Sequence, residues 1–156
     1  MSKHVIEPSP IIPFVEKEFE YDSTISKVST SDVVNLFTSI APEFGEGTVS
    51  FAFDYDTCSV WLDVPGVSSQ ISVVDIDPFS TWDASGSSDV IAIRALIKDS
   101  KASANDLSRH HSFTKFYQEG DIIIAEEPIY LTHGVAMMNL LDRLVAFLTT
   151  INTANN

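Results

Sequence analysis

The sequence predicts an α+β domain: a twisted antiparallel sheet of about five to six strands, carrying an N-terminal helix, a short middle helix and a long C-terminal amphipathic helix packed on it. Three observations predict it. Alternating apolar and polar residues from Thr48 to Val64 read as a half-buried antiparallel hairpin. The stretch from Phe113 to Ala125 reads as strand, tight turn, strand. The stretch from Val135 to Ile151 places apolar residues at helical spacing over an unusually wide arc.

Residues 1–28 read as an extended or partly disordered arm, because Pro8, Pro10 and Pro13 punctuate Ile11, Ile12 and Phe14 and forbid a continuous helix. The alternation from Phe14 to Tyr21 suits either one peripheral strand or a flexible tail. A single domain is expected over residues 29–152, since neither an internal repeat nor a long linker divides it. It opens with Ser29-Thr30-Ser31-Asp32, a cluster of helix-start residues ahead of the apolar stripe Val33, Val34, Leu36, Phe37 and Ile40. Pro42 and Gly45 end that helix.

A meander follows. Val49, Phe51, Phe53 and Tyr55 alternate with Ser50, Ala52 and Asp54; after an Asp56-Thr57 turn, Cys58, Val60, Leu62 and Val64 alternate with Ser59, Trp61 and Asp63. Pro65-Gly66 breaks the hairpin, and Ile71 to Ile76 supplies a third strand. Asp77 to Asp89 is a Ser/Gly/Asp loop with Phe79 and Trp82 as its only anchors. Val90 to Ile97 is the most hydrophobic strand and belongs at the sheet centre, although it holds Arg94. Lys101 to His111 reads as a weak helix around Leu107.

In the last third, the alternation from Phe113 to Tyr117 turns at Glu119-Gly120 into Ile122-Ile123-Ile124-Ala125. Pro128 lacks a donor, so pairing either stops near Glu127 or continues only at an edge. Thr132 is the expected N-cap of the final helix. At 100° per residue its apolar side chains span roughly 200°, about twice the usual stripe, which predicts more than one neighbour. Those neighbours are either the rest of its own domain or a second subunit.

Composition bounds function. At 156 residues the chain can build a core without disulfides or metals. Its one cysteine, Cys58, excludes an intrachain disulfide framework and fits a reducing compartment. The opening MSKHVIEPSPIIPF holds no apolar run of signal-peptide length, so a cytoplasmic location is expected. Asp142 and Arg143 interrupt the last helix, which argues against a membrane span. The net charge of −13 with only nine basic residues opposes binding to nucleic acid, and serves solubility, a basic partner or mimicry of a nucleic acid.

No catalytic signature appears. His110-His111 are adjacent and poorly spaced for a metal. Asp54, Asp56, Asp63, Asp75 and Asp77 contain hard-cation chemistry, yet no EF-hand spacing, and strand-face or turn roles explain them. Cys58 has no Lys or Arg close in sequence to lower its pKa. Nucleophile-elbow, phosphate-loop, dinucleotide and zinc-protease motifs are all missing from the sequence, and no cofactor is expected. Arg94 faces solvent from its strand or pairs with an acidic residue at an interface.

The stretches VIAIRALI, SFTKFYQEGDIIIAEEPIYLTHG and MMNLLDRLVAFL together resemble the YbjN-like family, which shares its architecture with the type III secretion chaperones. The likeness covers roughly residues 30–151 and is strongest after Val90. It implies an α+β domain, frequent homodimers, no known chemistry, and in the secretion chaperones an apolar surface that holds a client segment; the proline-rich arm and the Ser/Gly loop depart from it. The expectation is therefore a non-enzymatic protein-binding domain, chaperone-like or regulatory and homodimeric. Its contact candidates are Met137, Met138, Leu141, Leu144 and Leu148 on the last helix, with Arg94. Two other readings are a metal-dependent or cysteine-dependent enzyme and an acidic mimic that inhibits a DNA- or RNA-binding protein.

Overall fold

The computed structural model describes residues 16, 18–54, 56–76, 86–98 and 100–155. Phe14, Tyr55, Asp77, Phe79 and Trp82, each given a role by the sequence reading, lie outside them.

From residue 18 to residue 20 the chain forms no strand, contrary to one reading of the arm. Pairing begins later, with β1 (Thr24–Ile25) and β2 (Val28–Ser29). Helix α1 (Thr30–Ile40) starts where its sequence demands. The Ser29 hydroxyl accepts from the Asp32 N–H at 3.1 Å and the Asp32 carboxylate accepts from the Ser29 N–H at 3.0 Å, a reciprocal cap that satisfies two orphan donors. A 3-10 turn at Ala41–Glu43, with Pro42 in its first turn, ends the helix.

Strands β3 (Ser50–Asp54) and β4 (Ser59–Asp63) make the predicted hairpin, with a longer connection than the sequence suggested. Asp54 Oδ1 accepts from the N–H groups of Asp56 (3.0 Å) and Thr57 (3.4 Å), and Cys58 takes a positive φ of 49°. Cys58 is thus an exposed turn residue, not the start of a strand. After β5 (Ile71–Asp75), the loop contains one short strand that the sequence reading missed, β6 (Ser87–Ser88), which pairs with β2. The buried Ser88 hydroxyl donates to Asp75 Oδ1 at 2.7 Å. Strand β7 (Val90–Ile97) is central as predicted. Helix α2 (Ala104–His110) is capped by Ser103, and β8 (Lys115–Glu119) and β9 (Ile122–Tyr130) follow. Their two-residue connection is Gly120-Asp121, one position later than predicted, and Gly120 supplies a φ of 60°.

The main sheet has the order β3-β4-β5-β7-β9-β8, and every pairing among the described residues is antiparallel. Strand β9 runs through Pro128 because β8 begins only at Lys115, opposite Glu126, which leaves the rest of β9 open on that side. The Pro128 carbonyl, which points the same way as its missing N–H, accepts from Arg143 Nη2 at 3.1 Å instead.

The last helix, α3 (Met137–Ala154), follows β10 (Val135–Ala136), which pairs with β1. Thr132 does not cap it: the Thr132 hydroxyl reaches Asp89 Oδ2 at 3.0 Å, and the N-cap is Ala136 without a side-chain bond. The arm's backbone substitutes, since the Met137 N–H donates to the Ser23 carbonyl at 2.9 Å.

Residues of alternate parity along each strand point to one face, where Leu62, Ile71, Val73, Ile93, Ala95, Ile97 and Ala125 join the apolar sides of α1 and α3 in a single core. The wide arc of α3 needs no second subunit. The sheet covers one side of it and α1 lies against α3 as a further neighbour. At its far end, Asn152 donates to the Gly66 carbonyl at 3.0 Å and accepts from the Ser68 N–H at 2.8 Å, fastening the helix to the β4–β5 connection. Among the described residues no helix is long and apolar enough to cross a membrane.

Candidate functional site

Of the five contact candidates on α3, four are inside the chain's own core: Met137, Leu141, Leu144 and Leu148 are at most 6 % exposed. Such residues cannot meet a partner unless the core opens. Only Met138 is presented to solvent, at 50 %. Arg94 lies elsewhere, on the opposite face of the sheet.

That face is built by the same two-residue period that builds the core. Register places Trp61, Ser72, Arg94, Glu126 and Lys115 in one row across five strands. The neighbouring row toward the hairpin turn of β8 and β9 carries Leu96, Ile124 and Tyr117. Beyond Val74, Ala92 and Pro128 on the other side come Ile76, Val90 and Tyr130, of which Tyr130 is 63 % exposed. No described helix packs here, and an antiparallel sheet tolerates this when the strands alternate.

The centre of the face is polar and organised. Arg94 Nε donates to Glu126 Oε2 at 2.5 Å, and the Tyr117 hydroxyl donates to the same oxygen at 3.3 Å. The Lys115 ammonium stands 5.1 Å from the centre of the Tyr117 ring. Burial, and after it the Glu126 carboxylate, push the Tyr117 hydroxyl above its ordinary pKa. Beside this network lies a shallow cavity of about 210 Å³ with Trp61, Ser72, Arg94, Leu96 and Ile124 in its lining. It joins an aromatic ring, aliphatic walls and a guanidinium held in place by a carboxylate.

The other candidates are dispersed. Asp54 and Asp63 sit at opposite ends of the β3–β4 hairpin, Asp54 serves the turn and Asp75 bonds Ser88. Among the described residues no three His, Cys, Asp or Glu side chains are placed to hold a metal ion. His110 and His111 close α2 and line a separate cavity. The sequence reading missed Trp61, Tyr117 and Tyr130 as a group. The available signal was that each falls on the face opposite the buried set of its own strand.

Comparison of the chain with protein-family models and with curated proteins returned no match.

Proposed function

We propose that this chain is a non-enzymatic binding domain that holds a protein partner against the face of its sheet that no described helix covers, as a chaperone-like or regulatory module. The observation that carries this reading is the composition of that face. Trp61, Tyr117, Tyr130 and Arg94 share it, and Trp, Tyr and Arg dominate the energetics of protein interfaces: the rings bury large area with two torsions and keep a polar handle, and the guanidinium offers a planar set of donors. The resemblance to YbjN-like proteins and type III secretion chaperones supports the same class by analogy of architecture.

The reading moves the contact surface from α3 to the sheet. A homodimer, expected from the breadth of α3, would now use the sheet face too, and the charge of −13 on each copy opposes such pairing while it steers a basic partner inward. Affinity capture from the native cell tests the proposal, with wild type beside a Tyr130→Asp, Arg94→Glu double variant. One reproducible partner that wild type recovers and the double variant loses, and that rebinds as purified protein, supports it. Identical recovery by both proteins contradicts it.

A further inference from the structure

Glu127 follows Glu126 in β9 and therefore points to the other side of the sheet. There it is 6 % exposed, and its Oε2 is sealed from solvent with no hydrogen-bond partner among the described residues. A buried carboxyl without donors is costly, since burial removes water without replacing its hydrogen bonds. The group nevertheless lines an open cavity of about 310 Å³ between the end of α2, the start of β8 and α3. Its other walls include His111, Phe113, Thr114, Phe147 and Thr150. Phe113 stands 89 % exposed at this site.

We infer that this cavity is a binding site for a primary alkylammonium group, carried by a free amine or by a lysine side chain. Oε2 of the carboxyl group lacks a donor, and an ammonium brings three. Phe113, Ala146 and Phe147 offer apolar surface to a methylene stem, and Thr114 and Thr150 add polar side chains to the lining. The excess of 22 acidic over nine basic residues concentrates cations near the chain.

The site is pH-sensitive in a defined direction. The groups that face Glu127 are His110 and His111 from the end of α2 and Arg143 from α3, while β7 presents the apolar Ile93 opposite it. Burial raises the Glu127 pKa, with Arg143 partly opposing. An ammonium therefore binds more tightly as pH rises and the carboxyl ionises. This inference is independent of the reading of the opposite face.

The test is an amide-shift titration by NMR with n-butylammonium, using n-butanol and butyrate at matched ionic strength as controls. Saturable shifts at Thr114, Glu127, Ala146, Phe147 and Thr150, with Kd on the order of 1 mM, are expected for the ammonium only. Glu127→Gln should weaken them about tenfold or more while its spectrum elsewhere is retained. Should that variant misfold, Thr150→Met, which fills the cavity from its half-buried side, must give the same loss. Parallel titrations with spermidine and with an acetylated, amidated tripeptide containing lysine separate the two sources of the amine: the tighter ligand identifies which applies. Absence of saturable shifts, equal shifts with n-butanol, or shifts unchanged in both variants would overturn the inference.

Discussion

Arg94 Nε and Glu126 Oε2 stand 2.5 Å apart across the β7–β9 ladder, on the face of the sheet that no described helix covers. The Arg94 side chain keeps 38 % of its surface exposed, so water screens the pair. Arg94→Met is accordingly expected to cost about 1 kcal/mol or less in urea unfolding. A loss several times larger would assign the pair to the fold instead of to a contact surface.

Leu148 is fully enclosed by its own chain. Leu148→Ala should lower stability by about 2–5 kcal/mol through lost contacts and a residual cavity, with no change of molecular mass by light scattering. Met138→Ser, half exposed on the same helix, should change stability by about 0.5 kcal/mol or less. A change of mass with near-normal melting in the Leu148 variant would return α3 to the role of an interface.

Gly66 takes a φ of 85°, and a Cβ placed there would lie 2.0 Å from the Phe44 carbonyl oxygen. Gly66→Ala should cost about 1–2 kcal/mol for the left-handed backbone alone, before the clash with Phe44 is counted. Because the Gly66 carbonyl also accepts from Asn152, the C-terminal end of α3 should lose amide-exchange protection first. Wild-type melting in this variant would refute the close packing of the two connections.

Much of the architecture was legible because it is periodic. The apolar, β-branched runs Val90–Ile97 and Ile122–Ala125 and the Ser29–Asp32 cap are local properties, and the strands and α1 appear where those properties put them. What escaped is nonlocal. Thr132 has every attribute of an N-cap, yet the backbone of Ser23, more than a hundred residues away, takes the N–H of Met137. Pro128 signals a strand end until the late start of β8, at Lys115 opposite Glu126, makes its position an edge. The broad arc of α3 was readable, but not that α1 would cover part of it. For the site, Arg94 was visible as a cation within an apolar strand. Its grouping with Trp61 and Tyr117 depends on the register of five different strands.

The adjacent glutamates 126 and 127 had to fall on opposite faces of any strand, so one of them was bound to be buried. Because burial raises the Glu127 pKa, its ionisation is harder in the folded state than in the unfolded chain. The sign follows: relative to Glu127→Gln, wild-type stability is greatest below the unfolded pKa of a glutamate and declines as pH rises through the raised folded value. At neutral pH the Gln variant should melt higher than wild type, and the difference should shrink on acidification. Urea unfolding of both proteins across this range checks it; a difference that grows toward acid would contradict the assignment.

The central claim, that a partner docks on the face that no described helix covers, is tested most directly by titration calorimetry with the partner recovered by capture. Tyr130→Ala removes an exposed ring and should leave the melting temperature nearly unchanged while weakening binding about thirtyfold, with Met138→Ser on the opposite side of the molecule leaving affinity intact. Undiminished affinity in Tyr130→Ala and in Arg94→Met, with a loss in Met138→Ser, would place the contact on the other side of the molecule and contradict the claim.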